Sequence, residues 1–431
     1  MVADAQIALK RLWLPLVSTF IAFGVLVFRA SHSWNTLRGD ESLLLSDALE
    51  DGIVATLRSF GGYLHVVQRL MIWFTSLFPP ESFPKVIFTV AISFWILNLV
   101  LLGIALQHLA QKTAIWIVLP LVALLPPLGI ELMGDLVHIQ IAMFIGISAV
   151  VVLAQFPTSK VLLHVLGVYV LLFGLSSPSV ALIAAWCFYR HEFPIVGTPE
   201  KEVPNRVVLR YSITGLFVQL WATTVQNDRF VEFSFNNFLE GLRFFLHSLL
   251  PQPYRDFYFD VDGGSDQKLN SLFLFFGLIL AIAVLVRAGR AWHQTEPEAR
   301  IAELVAFGII ATLFYTTISS EYHTGYIAAL FVFLLVGIIW MIIDSQRILR
   351  YGAVLLLLIV VVSSFQSFIP DQNDDIFFGG SGWIFRDLVP WDEAIYKARE
   401  ACLDLPSRNV FIATNAADTY WGVVVNCKEL K

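Results

Sequence analysis

Residues 86–108 decide the fold class, because they read VIFTVAISFWILNLVLLGIALQH without one Asp, Glu, Lys or Arg. A helix needs about 20 apolar residues to cross the hydrocarbon core of a bilayer, which is roughly 30 Å thick. Comparable stretches recur near 12–29, 113–130, 136–155, 160–175, 179–189, 207–225, 270–288, 301–318, 325–343 and 351–369. The pattern therefore predicts an all-α polytopic membrane protein with about 11 transmembrane helices.

The composition of the whole chain agrees with a membrane location. Of its 431 residues, 57% are hydrophobic and 14% are charged, whereas a soluble domain usually carries about 25% charged residues. A net charge of −6 and the lack of any Lys/Arg-rich run exclude nucleic acid as a partner. The sequence also contains no Walker loop, GxSxG elbow or HExxH motif. No motif therefore supports nucleotide hydrolysis, serine hydrolysis or zinc proteolysis.

Charge distribution predicts the orientation in the membrane. Lys10 and Arg11 precede the first apolar segment, and Lys and Arg are more frequent on the side where alternation places the other inner loops. Cytoplasmic loops carry such an excess. We therefore expect an inner or plasma membrane protein with a cytoplasmic N-terminus and an extracytoplasmic C-terminus.

This orientation divides the chain into two parts. Residues 1–369 form the predicted transmembrane domain, with long outer loops at 30–85 and 226–269, and residues 370–431 form a small extracytoplasmic tail. The loop 226–269 is a candidate lid or acceptor groove.

The loop 30–85 and the tail contain predicted helices of their own. Apolar residues recur every four positions over 42–58, which predicts an interfacial helix, and a second half-buried helix is predicted over 63–78. In the tail, 391–403 has the pattern of a helix.

The sharpest candidate site is the acidic pair Asp40 and Glu41, just beyond the outer end of the first apolar segment. One interpretation is structural: Asp40 caps a helix that starts near Ser42, and Glu41 complements the helix dipole. The other is catalytic, with a carboxylate as general base on an acceptor hydroxyl. The pair is also a candidate to hold a divalent metal ion, Mg²⁺ or Mn²⁺.

His65 and Arg69 form a second candidate site, because an i,i+4 spacing places both on one face of a helix. Arg offers permanently charged planar donors, so this face suits a phosphate group. The structural alternative is that Arg69 reaches towards lipid headgroups while His65 is an ordinary interfacial residue.

Two shorter outer turns contain further candidates. Glu131, Asp135 and His138 cluster at one membrane edge, while Tyr322 and His323 lie in a compact polar turn between two apolar segments. Ionisable groups at a membrane edge are costly unless they are paired or hydrated. Both turns are therefore functional candidates, with a hydrated turn as the alternative.

Three cysteines exclude a zinc module or a disulfide-dense scaffold. Cys402 and Cys427 share the predicted extracytoplasmic tail, and Cys187 falls in an apolar segment. An oxidising outer compartment permits a disulfide, so we predict that Cys402 pairs with Cys427.

The acidic pair after the first helix, the interfacial helix, about eleven crossings and an outward tail together resemble the GT-C superfamily of integral-membrane glycosyltransferases. Only Asp40 and Glu41 match that family residue by residue, as its acidic motif. Shorter phrases resemble uncharacterised bacterial multi-pass proteins and have no assigned chemistry; they are 62–65 with 68–70, 174–178 and 421–427.

The resemblance implies a polyprenyl-phosphate-linked sugar as donor and an extracytoplasmic glycan, lipid or protein as acceptor. In the expected mechanism, Asp40 takes a proton from the acceptor hydroxyl, and Arg69, with His65 or the Tyr322–His323 turn, stabilises the departing polyprenyl phosphate. The alternative from another class is a transporter or lipid flippase for a cell-envelope precursor. A carrier places its ionisable residues near the middle of the membrane, whereas here they gather at the outer edge.

Overall fold

A computed structural model of the chain describes residues 2–60, 62–124, 134–155, 159–192, 205–225, 297–318, 325–344, 350–355, 357–358, 388–403, 408–414 and 421–430. In the N-terminal half the α-helices are α1 (Val2–Arg29), α2 (Gly39–Asp51), α3 (Val66–Ser76), α4 (Phe83–Ala110), α5 (Val118–Ala123), α6 (Ile139–Leu153), α7 (Lys160–Gly174) and α8 (Val180–Glu192). They are followed by α9 (Asn205–Val225), α10 (Pro297–Ile318), α11 (Gly325–Asp344) and α12 (Trp391–Leu403).

Two short antiparallel hairpins accompany these helices. Strand β1 (Ser59–Phe60) pairs with β2 (Tyr63–Leu64), and β3 (Asn409–Ala413) pairs with β4 (Gly422–Asn426). Short 3₁₀ helices run over Ser31–Asn35, Gly52–Leu57, Pro80–Ser82, Thr113–Ile117 and Cys427–Leu430.

The core is a helical bundle centred on α4, whose boundaries follow from local chemistry. Pro84 lies in the first turn, where its missing N–H costs nothing. At the other end Gln111 adopts a left-handed conformation with φ 53° and donates its N–H to the Gln107 carbonyl, which stops the helix.

Small residues allow the bundle helices to approach closely. A Cβ atom on Gly146 of α6 would lie 1.8 Å from Oδ1 of Asn98 in α4, and a Cβ on Gly174 of α7 would lie 2.9 Å from the Cα of Gly215 in α9. The Tyr169 hydroxyl donates to the same Asn98 oxygen. Asn98 of α4 is therefore hydrogen-bonded to α7 and packed closely against the backbone of α6.

The prediction of about 11 transmembrane helices is wrong. Among the described residues, one helix is long and apolar enough to cross a membrane, Pro80–Ala110, or two if the sharply bent pair Trp13–Arg29 and Ser33–Leu57 counts as one span. Several predicted crossings are helical but too short, because 15 residues in α6 or α7 reach only about 22 Å.

The prediction of an all-α fold is wrong as well, since both hairpins contain β-strands. The helix predicted over 63–78 begins only at Val66, because Gly62 with φ 91° turns the chain and Tyr63–Leu64 pairs with Ser59–Phe60. The interfacial helix predicted over 42–58 is instead α2 followed by a 3₁₀ helix. The loop 226–269 lies outside the described residues.

The C-terminal part packs against the loop after α1. Strand β4 lies on α2, where the Ser46 hydroxyl donates to the Gly422 carbonyl (3.3 Å) and accepts the Val424 N–H (3.2 Å). The Trp391 indole donates to the Pro80 carbonyl at 2.7 Å. Cys402 and Cys427 are joined by a disulfide with a Cα–Cα distance of 5.5 Å. The predicted tail is thus docked on the first loop.

Candidate functional site

The N-terminus of α2 places Asp40 and Glu41 at the second and third helical positions. Arg38 precedes the helix in an extended conformation (φ −89°, ψ 162°), and its backbone N–H donates to Oε2 of Glu41 at 3.4 Å. Asp40 is half-buried, whereas Glu41 is 1% exposed. Helix α2 starts at Gly39, so Asp40 lies inside its first turn and Arg38 occupies the cap position.

Glu41 and Arg38 connect α2 to the segment that precedes α6. The Leu136 N–H donates to Oε1 of Glu41 at 2.8 Å. Arg38 Nη1 lies 3.4 Å from Oδ2 of Asp135, and Nη2 lies 3.4 Å from the Ser33 hydroxyl. Arg38 and Glu41 therefore contact Asp135 and Leu136, two consecutive residues that lie almost a hundred positions later in the sequence.

Asp135 in turn orients His138. Its Oδ1 accepts the Val137 N–H at 2.6 Å, and its Oδ2 lies 2.6 Å from Nδ1 of His138. The Asp135 side chain is 3% exposed, while that of His138 is 28% exposed. The carboxylate is buried beneath the imidazole, and the imidazole is the member of the pair that solvent or a ligand can reach.

The charges of this cluster are set by burial and by mutual contacts. Burial raises the pKa of Glu41 well above its usual range, and the nearby Asp135 raises it further, which favours the protonated form of Glu41. Burial opposes ionisation of Asp135, but His138 and Arg38 outweigh it and bring the pKa of Asp135 down to about 2.

The same contacts act on the charge of His138. Burial by itself lowers its pKa, but Asp135 outweighs that effect and Asp40 raises the pKa further, so the pKa of His138 lies above its usual value. The cluster therefore favours the protonated form of a partly exposed imidazole that lies within electrostatic range of Asp40.

The β1–β2 hairpin closes one side of this cluster. The Tyr63 hydroxyl and the Gln140 side-chain amide lie 3.3–3.4 Å apart. His65 is 2% exposed and stacks on Tyr63 with ring centroids 4.2 Å apart. Burial, helped by the positive charge of Arg69, lowers the pKa of His65 to about 3, so His65 is neutral.

The Arg69 side chain contacts α2 at Asp47, further from the N-terminus of the helix. Its Nη1 lies 2.8 Å from Oδ2 of Asp47, and its Nη2 donates to the Ser59 carbonyl at 3.3 Å. Asp47 lies seven residues after Asp40, which is about 10 Å along the helix. The guanidinium is 3% exposed and ties the β1–β2 hairpin to α2.

The structure thus brings together Asp40, Glu41, Asp135 and His138, with the neutral His65 nearby. Glu131, Tyr322 and His323 lie outside the described residues.

Two participants were not predicted. Arg38 is one, and the only sequence signal for it is its place immediately before Gly39. Trp421 is the other: its ring covers Gly39 so closely that a Cβ there would lie 2.2 Å from Cε3. Trp421 belongs to the phrase 421–427, which carried no assigned chemistry.

Comparisons with known proteins bear on the fold alone. No family model matches the chain, and no curated protein matches it. The oligosaccharyltransferase of Archaeoglobus fulgidus, solved in complex with Zn and sulfate, is similar with a TM-score of 0.51 and 13% identity, over 91% of this chain and 56% of that one.

A second structure of the A. fulgidus oligosaccharyltransferase, in complex with an inhibitory peptide and a dolichol-phosphate, has a TM-score of 0.47 and 12% identity over 92% of this chain and 58% of that one. The chain therefore spans somewhat more than half the length of the structures it matches. At these identities the similarity concerns architecture.

The described residues do not fit a divalent metal ion. No group of three His, Cys, Asp or Glu side chains among them is arranged to hold one. Both oxygens of Asp135 are engaged by His138, Val137 and the cationic Arg38, and both oxygens of Glu41 accept backbone N–H groups. A metal ion would compete with these donors for the same oxygens, so the described arrangement does not favour one.

Proposed function

We propose that the protein is a membrane glycosyltransferase that moves a sugar from a polyprenyl-phosphate donor to an extracytoplasmic glycan, lipid or protein acceptor. The observation that carries the proposal is that the half-buried Asp40 and the partly exposed His138 belong to one cluster, linked through Glu41, Leu136 and Asp135, in which the charge of Asp40 raises the pKa of His138. Sugar transfer from a phosphate needs such a pair, because one group must accept a proton while another meets the departing negative charge. The oligosaccharyltransferase-like fold supports it.

In the proposed reaction Asp40 accepts the proton of an acceptor hydroxyl while the hydroxyl oxygen attacks the anomeric carbon of the donor sugar. The bond between that carbon and the phosphate oxygen breaks, and its electron pair leaves with the polyprenyl phosphate. His138, held by Asp135, donates a hydrogen bond to the departing phosphate. We assign this role to His138 and not to Arg69, because the Arg69 guanidinium is buried and bound to Asp47.

The surface around the cluster is compatible with a lipid-linked donor. Directly after α2, the 3₁₀ helix exposes Ile53, Val54 and Leu57, and Phe20 and Phe28 of α1 are also exposed. Exposed apolar surface of this kind suits the edge of a bilayer. From the Lys/Arg distribution in the sequence we further propose that the cluster lies at the extracytoplasmic membrane surface and the N-terminus in the cytoplasm.

The experiment uses the purified full chain with polyprenyl phosphates that carry a radiolabelled hexose or pentose, and total cell-envelope glycan, lipid and protein fractions as acceptors. Release of label from the lipid phase is measured for the parent and for Asp40→Asn. Loss of a general base lowers the rate by roughly 10² to 10⁴-fold. Glu50→Gln is the matched control, since Glu50 is an exposed acid on the same helix, and it should leave the rate unchanged.

Two results would refute the proposal. One is an Asp40→Asn variant that transfers sugar at the parental rate. The other is a parent that releases no label from any donor, which would favour the transporter or flippase alternative if it moved the intact lipid-linked sugar across a vesicle membrane.

A further inference from the structure

Glu41 is adjacent to the proposed base but faces the protein interior. Its side chain is 1% exposed, and each carboxyl oxygen accepts a backbone N–H, Oε1 from Leu136 and Oε2 from Arg38. A group in this position has no path to an acceptor hydroxyl outside. What it does reach is a second chain segment.

That second segment carries the imidazole of the site. Leu136 stands between Asp135 and His138, and Asp135 is bound to both His138 and Arg38. The bond from Leu136 to Glu41, at 2.8 Å, is shorter than the 3.4 Å contact between Arg38 and Asp135. It is therefore the shorter of these two contacts between the start of α2 and the residues before α6.

We propose that Glu41 is a positioning residue: its buried carboxyl group fastens the 135–138 segment to the first turn of α2 and thereby holds His138 beside Asp40. The raised pKa of Glu41 agrees with this role, because burial favours the protonated carboxyl group, which donates a hydrogen bond to Asp135 while it accepts the Leu136 N–H. The activity readout of this inference rests on the proposed function.

Glutamine is the substitution that tests the role most directly. A glutamine side chain at this position has the size of a neutral glutamic acid, accepts the Leu136 N–H through its carbonyl and donates to Asp135 through its amide. It loses only the longer bond, at 3.4 Å, from the Arg38 N–H. Glu41→Gln should therefore keep the parental rate within a small factor and the parental pH profile. Glu41→Ala leaves the buried N–H groups unpaired, so the 135–138 segment should shift relative to α2. A displacement of the order of 1 Å lowers turnover by about 10²-fold, and the donor KM should change little.

A second measurement does not depend on activity. The titration of His138 is followed by NMR on the full chain with ¹³C-labelled histidine, and its signal is assigned by its loss in His138→Gln. In the parent and in Glu41→Gln, His138 should titrate above the usual histidine pKa. In Glu41→Ala the pKa of His138 should fall towards the usual value, because the His138–Asp135 pair is no longer held.

The outcomes separate the two hypotheses. A folded Glu41→Gln variant as inactive as Asp40→Asn would overturn the positioning role, since it would show that Glu41 acts as a charged group. A Glu41→Ala variant with the parental rate and the parental His138 titration would overturn it too. If Asp40→Asn is fully active, the proposed function fails, and the His138 titration still decides the role of Glu41.

Discussion

Replacing Gly39 with Ala should displace the C-terminal hairpin from the site. A Cβ on Gly39 would lie 2.2 Å from Cε3 of Trp421 and 2.4 Å from its Cδ2, where ordinary contact begins at 3.4 Å. The clash involves the body of a rigid ring, so the ring or the start of α2 has to move by about 1 Å. Overpacking of this kind typically costs about 1–3 kcal/mol.

The higher helix propensity of Ala offsets part of this cost and so limits the net change in the free energy of unfolding. Ala is favoured over Gly by up to about 1 kcal/mol in a helix interior, and less at the first helical position. We therefore expect Gly39→Ala to lower the free energy of unfolding by roughly 1–2 kcal/mol. The displacement should also slow sugar release, because Asp40 is the next residue.

The assay is denaturant unfolding of the purified full chain, followed by far-UV circular dichroism, on a double-mutant cycle with Trp421→Ala. Without the indole ring, Gly39→Ala should cost nothing. The matched control is Gly24→Ala in α1, where an added Cβ meets no atom within 4 Å, so stability should stay the same or rise slightly. Equal effects of Gly39→Ala with and without the Trp421 ring would refute the packing argument.

Two further predictions concern protonation and covalent structure. Because the pKa of His138 is raised in the fold, the stabilisation by the charged imidazole is complete below the unfolded pKa near 6.5 and is lost as pH rises through the folded pKa. Under the proposed function, sugar release should decline as pH rises through that folded pKa, and Asp135→Asn should move the decline to lower pH. An unmoved profile would exclude His138 from the reaction. Alkylation of the denatured protein without reductant should modify Cys187 alone, and three modified thiols would contradict the pairing of Cys402 with Cys427. The double variant Cys402→Ser, Cys427→Ser should lower the stability of the C-terminal part by about 3 kcal/mol.

Local elements could be read from the sequence where the pattern is strong. The apolar stretch 86–108 lies within α4 (Phe83–Ala110), and the helix predicted over 391–403 is α12 with the same boundaries. The number of membrane crossings could not be read in this way, because hydropathy counts apolar residues without showing where a helix breaks. The stretch 113–130 illustrates this: it contains a 3₁₀ helix followed by α5, which is six residues long.

The candidate site was predictable as a set of residues but not as an arrangement. Asp40, Glu41, Asp135 and His138 are recognisable as ionisable groups at the ends of apolar segments. Their meeting depends on the bond from the Leu136 N–H to Glu41, which spans 95 positions, and no local periodicity encodes such a contact. The i,i+4 spacing of His65 and Arg69 predicted one shared phosphate face, whereas Asp47 holds the Arg69 guanidinium.

The contact between Trp421 and Gly39 also determines when the site can be completed during synthesis of the chain. A ribosome adds about 5–20 residues per second, so residue 421 follows residue 39 by roughly 20–80 s. During that interval the first turn of α2 is already made while the ring that covers it does not yet exist. A nascent chain halted before residue 421 would therefore leave the first turn of α2 uncovered, and the candidate site is complete only after the C-terminal hairpin has been synthesised and has folded back onto α2.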